Sequence, residues 1–205
     1  LAAIFWFAKC NMKCLYCYNP QIVYGEGRLS EANAFDFLKK RKGLLDGIVL
    51  SGGEATLYPH LSSFVTQIKE MGFLVKLDTN GLKPNLIKEL IELKLIDRIS
   101  LDFKAPKDKF EKLTANTHFN LFESTLEFLI TKNFPFEVRT TVHSGLLNEA
   151  DITYMSNYLT TKGYTNTYFL QNFLNTGQTI GGIKAPMRDL DRNLISTSLP
   201  IVWRN

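Results

Sequence analysis

Three cysteines, Cys10, Cys14 and Cys17, are the only cysteines of the chain and lie within a span of eight positions. An odd number cannot all pair in intramolecular disulfides, and loops this short would add little stability if two of them did pair. Thiolates are soft ligands that suit iron–sulfur clusters, zinc or Cu(I), and a short loop lets several sulfurs converge. Structural zinc and electron-transfer clusters normally take four protein ligands, so three cysteines predict one metal position open to a non-protein ligand.

Two other interpretations of the cysteines stay open. A zinc ion would need a fourth ligand, and the histidines His60, His118 and His143 all lie far from the cysteines in sequence. Free cysteines can also be buried in a core, but polar neighbours such as Asn11 and Lys13 argue against that interpretation. Three reduced thiols indicate a reducing compartment, and we therefore expect a cytoplasmic protein.

Carboxylates appear in three further polar runs. In Ser51-Gly52-Gly53-Glu54 the glycines allow the backbone to approach a ligand closely, and the glutamate can accept hydrogen bonds from an ammonium group. The runs Asp78-Thr79-Asn80-Gly81 and Asp102-Phe103-Lys104 each begin with an aspartate. Taken alone, such runs are also typical of ordinary turns and of surface ion pairs.

Two more side chains are candidates for a binding site. Arg139 lies in an apolar run, where its burial without an anionic partner would be costly. Gln171 follows Leu170 and either contacts a ligand or lies at the edge of the core.

Hydrophobic periodicity predicts the elements that must position these residues. Short apolar or β-branched runs predict six strands, at about 3–7, 47–50, 74–77, 98–103, 137–142 and 167–170. Amphipathic spacing with start signals predicts five helices, at about 30–41, 59–71, 84–93, 121–131 and 149–159. This alternation predicts an α/β fold with a parallel sheet, either an open doubly wound sheet or an incomplete (βα) barrel.

In both of these folds the chemistry lies at the carboxyl ends of the strands. The candidate residues follow this rule strand by strand: the cysteines after the first, Glu54 after the second, Asp78 after the third, Asp102 with Lys104 at the end of the fourth, Arg139 within the fifth and Gln171 after the sixth. The sequence therefore predicts that these side chains meet at one edge of the sheet.

Length and composition exclude several classes of protein. With 205 residues, 45% of them hydrophobic, and a net charge of +4, the chain predicts a single folded domain over 1–205 with no nucleic-acid footprint. No apolar run is long enough to cross a bilayer. Residues 175–205 lack periodicity and predict an irregular tail, and the absence of an initial methionine predicts that an N-terminal segment precedes Leu1.

The cysteine spacing resembles the signature of a known family. Cys-x3-Cys-x2-Cys with an aromatic residue, Tyr16, before the last cysteine is similar to the motif of the radical S-adenosylmethionine (SAM) superfamily. With this resemblance we expect a partial (βα)6 TIM-like barrel of parallel strands with outer helices. The resemblance also implies a [4Fe–4S] cluster on the three cysteines, whose fourth iron is chelated by SAM. One electron from the cluster would cleave SAM to methionine and a 5′-deoxyadenosyl radical.

Later motifs extend the resemblance to the subset of the superfamily that activates glycyl-radical enzymes. Glu54 and its glycines resemble the Gly-Gly-Glu motif, and the runs from Asp78 and Asp102 resemble the Asp-Thr-Asn-Gly and Asp-x-Lys elements of that subset. The resemblance implies that both aspartates lie around the methionine carboxylate of SAM, with a monovalent cation. It also implies a set of cofactor-binding residues: Tyr16, Gly52, Gly53, Glu54, Asp78, Asp102, Lys104, Arg139 and Gln171.

Within that subset the motifs look most like the activating proteins of anaerobic ribonucleoside-triphosphate reductase, from Leu1 to about Phe173, with departures at His143 and Ala55. The implied reaction is hydrogen abstraction from a glycine of a partner enzyme, with an electron donor such as flavodoxin or ferredoxin and with no nucleic acid or membrane as a partner. Two alternatives stay open. One is a radical SAM enzyme acting on a small molecule, such as a purine-like heterocycle, and the other is a non-catalytic metal-binding docking module.

Overall fold

Seven parallel strands form one sheet in the computed structural model, which describes residues 1–204. The strands are β1 (Ala2–Phe7), β2 (Gly47–Gly52), β3 (Leu74–Thr79), β4 (Arg98–Asp102), β5 (Phe136–Val142), β6 (Tyr168–Asn172) and β7 (Ile201–Arg204). Each strand pairs with the next one along the chain. A doubly wound sheet would reverse its strand order at a switch point, so the incomplete barrel is the alternative that the structure confirms.

Helices connect the successive strands from β1 to β6, and local signals in the sequence set several of their boundaries. They are α1 (Pro20–Val23), α2 (Glu31–Lys39), α3 (Leu61–Glu70), α4 (Pro84–Glu92), α5 (Lys107–Thr114), α6 (Phe119–Thr131) and α7 (Glu149–Thr161). At the start of α2, Ser30 Oγ accepts from Asn33 N at 3.2 Å while the Asn33 side chain accepts from Ser30 N at 3.0 Å, which satisfies two helix-end donors. Within residues 1–204, no helix is long and apolar enough to span a membrane.

Five of these helices were predicted, and two were not. The structure adds α1, which has four residues, and α5, whose buried apolar side chains Phe110 and Leu113 are surrounded by charged residues. So few apolar positions produce no clear period of 3.6 residues. Both helices flank loops that carry candidate site residues. The sequence therefore did not predict the helices that support those loops.

Side-chain alternation along the strands separates the core from the site. In β3, Val75 and Leu77 are buried under the helices, whereas Lys76 and Asp78 point to the opposite face of the sheet. The helix-covered face is well packed, and Phe103 stacks on Phe122 of α6 with ring centroids 4.8 Å apart. The opposite face carries the charged side chains of the predicted site.

The predicted irregular tail, residues 175–205, contains the seventh strand. In this strand, β7, Ile201 lies opposite Tyr168 and Arg204 lies opposite Gln171 of β6. The prediction of six strands was one short because four residues give too little periodicity, and pairing with a distant strand edge is not encoded locally. Asn205, the last residue of the predicted tail, lies outside the described residues.

Hydrogen bonds and ion pairs to the buried side chain of Glu137 hold β7 against the sheet. Arg204 donates to both carboxylate oxygens of Glu137, at 3.3 and 3.2 Å, and Ser100 Oγ donates at 2.7 Å. The Nζ atom of Lys76 lies 3.4 Å from the same carboxylate. Burial alone would raise the pKa of Glu137, but these donors and charges lower it from 4.5 to about 2.

Replacing Glu137 by glutamine is expected to weaken the loss of stability in acid. Because the folded-state pKa of Glu137 lies below its ordinary value of 4.5, the carboxylate stabilises the fold above that pH. This contribution is lost as the pH falls towards about 2. Chemical denaturation of wild type and variant across this pH window measures the difference in the free energy of unfolding. Two profiles that run parallel would contradict the role given to Glu137.

Candidate functional site

The three cysteines lie on a loop, residues 10–17, that directly follows β1; we call it the cysteine loop. Cys14 is buried, Cys10 and Cys17 are half-buried, and all three are free thiols. A turn closes the loop, with Cys17 N donating to Cys14 O at 2.9 Å. Burial raises the pKa of Cys14 to about 12, and the nearby charge of Lys104 offsets only part of this effect. The thiol is therefore protonated in the metal-free protein and would lose its proton on binding a metal.

The donor set of the cysteine loop fits an iron–sulfur cluster. It offers three soft sulfur donors from one short segment, as such clusters require. Within residues 1–204, no three side chains of His, Cys, Asp or Glu converge closely enough to hold a single metal ion. The histidines weighed as a fourth zinc ligand have other places, since His60 and His118 precede α3 and α6 and His143 is bonded to Lys184 O. The donor chemistry of the cysteine loop therefore suits a cluster.

Gly52 and Gly53 bring the end of β2 against the end of β1 and Lys9, just before the cysteine loop. Gly52 has φ +111°, and a Cβ atom there would lie 2.5 Å from both the N and the O of Phe7. A Cβ atom on Gly53 would lie 2.0 Å from Lys9 O. No other residue type fits this approach. It lets Gly53 N donate to Phe7 O at 2.8 Å. The two glycines therefore allow the ends of β1 and β2 to lie in contact.

Glu54 is buried and connects the loops that follow β2 and β3. One oxygen accepts from the Thr56 hydroxyl at 2.7 Å and the Thr79 hydroxyl at 2.8 Å, and the other accepts from Asn80 N at 2.8 Å. Burial raises the pKa of Glu54, and the hydrogen bonds from Asn80 and Thr56 offset part of the rise. Both oxygens of Glu54 are thus occupied by donors of the chain.

The same network reaches the cysteine loop through Asn80 and Asn11, which the sequence did not mark as site residues. Asn80 Nδ2 donates to Asn11 Oδ1 at 2.8 Å, and Asn116 Nδ2 donates to Asn11 O at 3.0 Å. Asparagine in a turn is common, so only the contact itself shows the role. Glu54, Asn80 and Asn11 therefore form a continuous hydrogen-bonded link between three strand ends.

Replacing Glu54 by alanine is expected to lower the free energy of unfolding by about 1–3 kcal/mol, because buried donors of Thr56, Thr79 and Asn80 would lose their acceptor. Chemical denaturation of the metal-free protein measures this cost. Glutamine at position 54 keeps the shape and one acceptor oxygen, so Glu54→Gln is expected to lose less. Equal stability of wild type and Glu54→Ala would show that the network does not hold these loops.

Arg139 joins two aspartates in the centre of the charged face. Its Nε atom donates to Asp102, and its Nη1 atom donates to Asp78 Oδ2 at 3.2 Å. Lys104 Nζ donates to the other Asp102 oxygen at 2.8 Å, and Ser51 Oγ donates to Asp78 Oδ2 at 3.1 Å. The ion pair between Asp102 and Lys104 lies largely buried, at 17% and 18% side-chain exposure, and is not the surface pair that the sequence left open. We call Asp78, Asp102, Lys104 and Arg139 the aspartate–arginine cluster.

The two aspartates of this cluster differ in how their carboxylates are compensated. Burial would raise the pKa of Asp102, but Arg139 and Lys104 lower it to about 2. The pKa values of Arg139 and Lys104 are raised in turn, because Asp102 outweighs the effect of their burial. Asp78 Oδ1 differs, since it is buried without a hydrogen bond, an arrangement that no other side-chain N or O of residues 1–204 shows. Lys76 Nζ lies 3.5 Å from it. Asp78 Oδ1 is therefore paired by charge with Lys76 but accepts no hydrogen bond.

Tyr16 and Gln171 are the remaining predicted site residues. Tyr16 is buried, and its hydroxyl lies 3.5 Å from the carbonyl oxygen of Lys104. The cysteine loop thereby contacts the segment after β4. Gln171 of β6 lies opposite Thr141 of β5 and so shares the face of Arg139. The structure thus brings the predicted residues to the carboxyl edge of the sheet.

The family model described as the radical SAM superfamily matches residues 4–155 of this chain. The chain belongs to the radical SAM superfamily. This membership confirms the resemblance carried by the cysteine spacing. The radical SAM family implies a [4Fe–4S] cluster and SAM binding, and the cysteine loop is the part of the chain whose donors suit that cluster.

Named relatives within the radical SAM superfamily include activating enzymes. A protein of Methanocaldococcus jannaschii, named as a glycyl-radical enzyme activating enzyme, is 35% identical over 74% of this chain, which spans 65% of that relative. A pyruvate formate-lyase-activating enzyme of Streptococcus mutans is 25% identical over 90% of this chain and 79% of its own length. A 7-carboxy-7-deazaguanine synthase of Neisseria meningitidis is 35% identical over 37% of this chain and 34% of its own length. The activating subset that the motifs indicate is supported by the first two.

The radical SAM fold is also found in solved structures. A crystal structure of Streptococcus suis SuiB bound to SAM matches this chain with a TM-score of 0.76 at 15% identity. The match covers 100% of this chain and 50% of the SuiB chain. At this identity the likeness shows the fold alone, and it confirms the expected partial barrel.

Proposed function

We propose that this chain is the radical SAM core of an activase that generates a glycyl radical on a partner enzyme. One observation carries the proposal: a three-cysteine loop at the carboxyl edge of a partial barrel adjoins a buried aspartate–arginine cluster. The names of the relatives from M. jannaschii and S. mutans favour a protein substrate. The partner that we propose is anaerobic ribonucleoside-triphosphate reductase, on the resemblance of the motifs.

Each part of the site has a task in this proposal. Cys10, Cys14 and Cys17 would hold the cluster, which when bound supplies the electron that cleaves SAM. Burial raises the pKa of Cys14, and the charge of Lys104 offsets part of that rise, so Lys104 favours the thiolate form that binds metal.

The aspartate–arginine cluster would position SAM. Asp78 Oδ1 accepts no hydrogen bond from the described residues, and its ion pair with Lys76 is long at 3.5 Å, so we assign this oxygen as an acceptor for SAM. Arg139 and Lys104 already balance the aspartates, so the monovalent cation expected from the resemblance is not part of the proposal. On the resemblance we also assign Tyr16, Gly52, Gly53, Glu54 and Gln171 to SAM. Glu54 would contact SAM with oxygens that already accept from Thr56, Thr79 and Asn80.

The proposed activity requires an electron donor and a reducing compartment. We propose flavodoxin or ferredoxin as the electron donor and the cytoplasm as the location, since three free thiols suit a reducing environment. A small-molecule substrate is the second candidate, and the similarity to the N. meningitidis synthase favours it over part of the chain. A docking module without catalysis is the third.

Anaerobic reconstitution with iron and sulfide, followed by dithionite and SAM, tests the enzymatic candidates together. We expect formation of 5′-deoxyadenosine, measured by liquid chromatography. A reconstituted cluster that yields no 5′-deoxyadenosine would contradict both enzymatic candidates and leave the docking module.

A further inference from the structure

Residues 179–184, between β6 and β7, lie across the cysteine loop; we call this segment the strap. Ile180 N donates to Cys17 O and Gly181 N donates to Leu15 O, both at 2.9 Å. These are main-chain bonds to the loop that carries the three thiols. The sequence predicted only that this part of the tail is irregular, with no assigned contact.

The opposite edge of the cysteine loop is bonded as well. Lys13 N donates to Thr114 O at 2.7 Å and Leu15 N donates to Leu113 O at 2.9 Å, both at the end of α5. The main-chain groups of Leu15 are therefore bonded on two sides, the N–H to α5 and the carbonyl to the strap. A loop paired along both edges has few alternative conformations, which fixes where its side chains point.

Gly181 is the position where the strap comes closest to the cysteine loop. A Cβ atom on this residue would lie 2.8 Å from Leu15 Cβ and 2.9 Å from Leu15 O. Real Cβ atoms essentially never come this close to other atoms. Any larger residue would therefore move the strap away from Leu15, and the hydrogen bond at Gly181 would be lost.

The far end of the strap is anchored by His143, at the end of β5. Gly145 N donates to His143 Nδ1 at 3.1 Å, so the ring proton is on Nε2, which lies 2.8 Å from Lys184 O and donates to it. The chain beyond the strap is held by α7, where Arg188 donates to Glu149 at 2.5 and 3.0 Å. The strap is thus tied down at points that do not involve the cysteine loop.

We propose that the strap sets the geometry of the cysteine loop, and that Gly181 is a positioning residue for the cluster. The strap fixes the carbonyls of Leu15 and Cys17, which flank the last of the three thiols, before any metal binds. The inference rests on the cluster assigned above, but the bonds that carry it are present in the metal-free protein. Groups that orient metal ligands are worth about 10–100-fold in metal affinity.

The test compares Gly181→Ala with Gly27→Ala, whose added Cβ meets no atom within 4 Å. In the metal-free protein, Gly181→Ala is expected to speed hydrogen exchange in peptides covering 10–17 and 179–184, with unchanged exchange in the strands β2 to β5. After reconstitution it is expected to lose iron to a chelator about tenfold faster. The electron paramagnetic resonance spectrum of its reduced cluster should also differ from wild type. Gly27→Ala is expected to match wild type throughout.

A second variant distinguishes an effect of the strap from a general folding defect in Gly181→Ala. His143→Ala removes the donor to Lys184 O and leaves both the strap and the cysteine loop chemically unaltered. It is expected to change the same two peptides and iron loss in the same direction, by less than Gly181→Ala. Wild-type exchange and iron retention in both variants would overturn the proposal, as would faster exchange confined to 179–184. A wild-type protein that fails to form 5′-deoxyadenosine but shows these differences would contradict the activase and leave the strap in place.

Discussion

Replacing Cys14 by alanine is expected to abolish cluster binding and SAM cleavage together. Cys14 is the central and most buried of the three thiols, and the chain has no cysteine outside positions 10, 14 and 17 to substitute for it. With two cysteines left, a second iron of the cluster would lack a protein ligand. Iron per chain after anaerobic reconstitution and the yield of 5′-deoxyadenosine measure the two losses.

Loss of a ligand has to be separated from loss of the fold. Cys14 is small, so metal-free Cys14→Ala is expected to lose only about 1 kcal/mol in the free energy of unfolding, as is common for a single substitution. Met187→Ala is the control, because the Met187 side chain is fully exposed, and it should retain iron and turnover. A Cys14→Ala protein that retains a full cluster and cleaves SAM would contradict the role given to the cysteine loop.

Replacing Arg139 by alanine is expected to destabilise the metal-free protein by about 3–5 kcal/mol, the cost typical of breaking a buried ion pair. Arg139 is the shared cation of Asp78 and Asp102, and all three side chains are less than one-fifth exposed. Its removal leaves two carboxylates in a buried site with reduced compensation. Urea denaturation measures the loss without any cofactor, so the result does not depend on reconstitution.

Two companion variants identify the cause of that loss. Arg139→Lys keeps the charge but not the forked geometry, and an intermediate loss is expected. Adding Asp102→Asn to Arg139→Ala removes one uncompensated charge, so the double variant should be more stable than the sum of the single losses implies. A loss below about 1 kcal/mol for Arg139→Ala would show that the aspartate–arginine cluster behaves as a surface ion pair.

Local patterns were sufficient to predict most of the barrel, and the exceptions share a physical cause. Strand β2 contains the apolar run Ile48–Leu50, β4 alternates Ile99 and Leu101 with polar residues, and α4 has a clear apolar stripe after Pro84. By contrast, β7 is a four-residue strand that exists through its pairing with β6 and through the contacts of Arg204 with Glu137. Such partners are distant in sequence, and local periodicity carries no signal for them.

In the candidate site, too, some features could be predicted from the sequence and others could not. The cysteine spacing is local, and the rule that chemistry lies at strand ends predicted which side chains would meet. The sequence did not show that the Glu54 oxygens are occupied by Thr79 and Asn80, because these bonds depend on how two loops meet. The strap was hidden for a related reason, since its contacts with Leu15 and Cys17 are made by main-chain groups, which every residue carries.

In the proposed function, this chain installs a radical on a glycine of a partner enzyme. The most direct test of this claim mixes the reconstituted protein, SAM and dithionite with anaerobic ribonucleoside-triphosphate reductase and with other glycyl-radical enzymes, and records electron paramagnetic resonance spectra. We expect a doublet on the reductase, because one hydrogen stays on the glycine Cα and splits the signal, and we expect none with Cys14→Ala. Formation of 5′-deoxyadenosine without a doublet on any of these enzymes would contradict the claim and favour a small-molecule substrate.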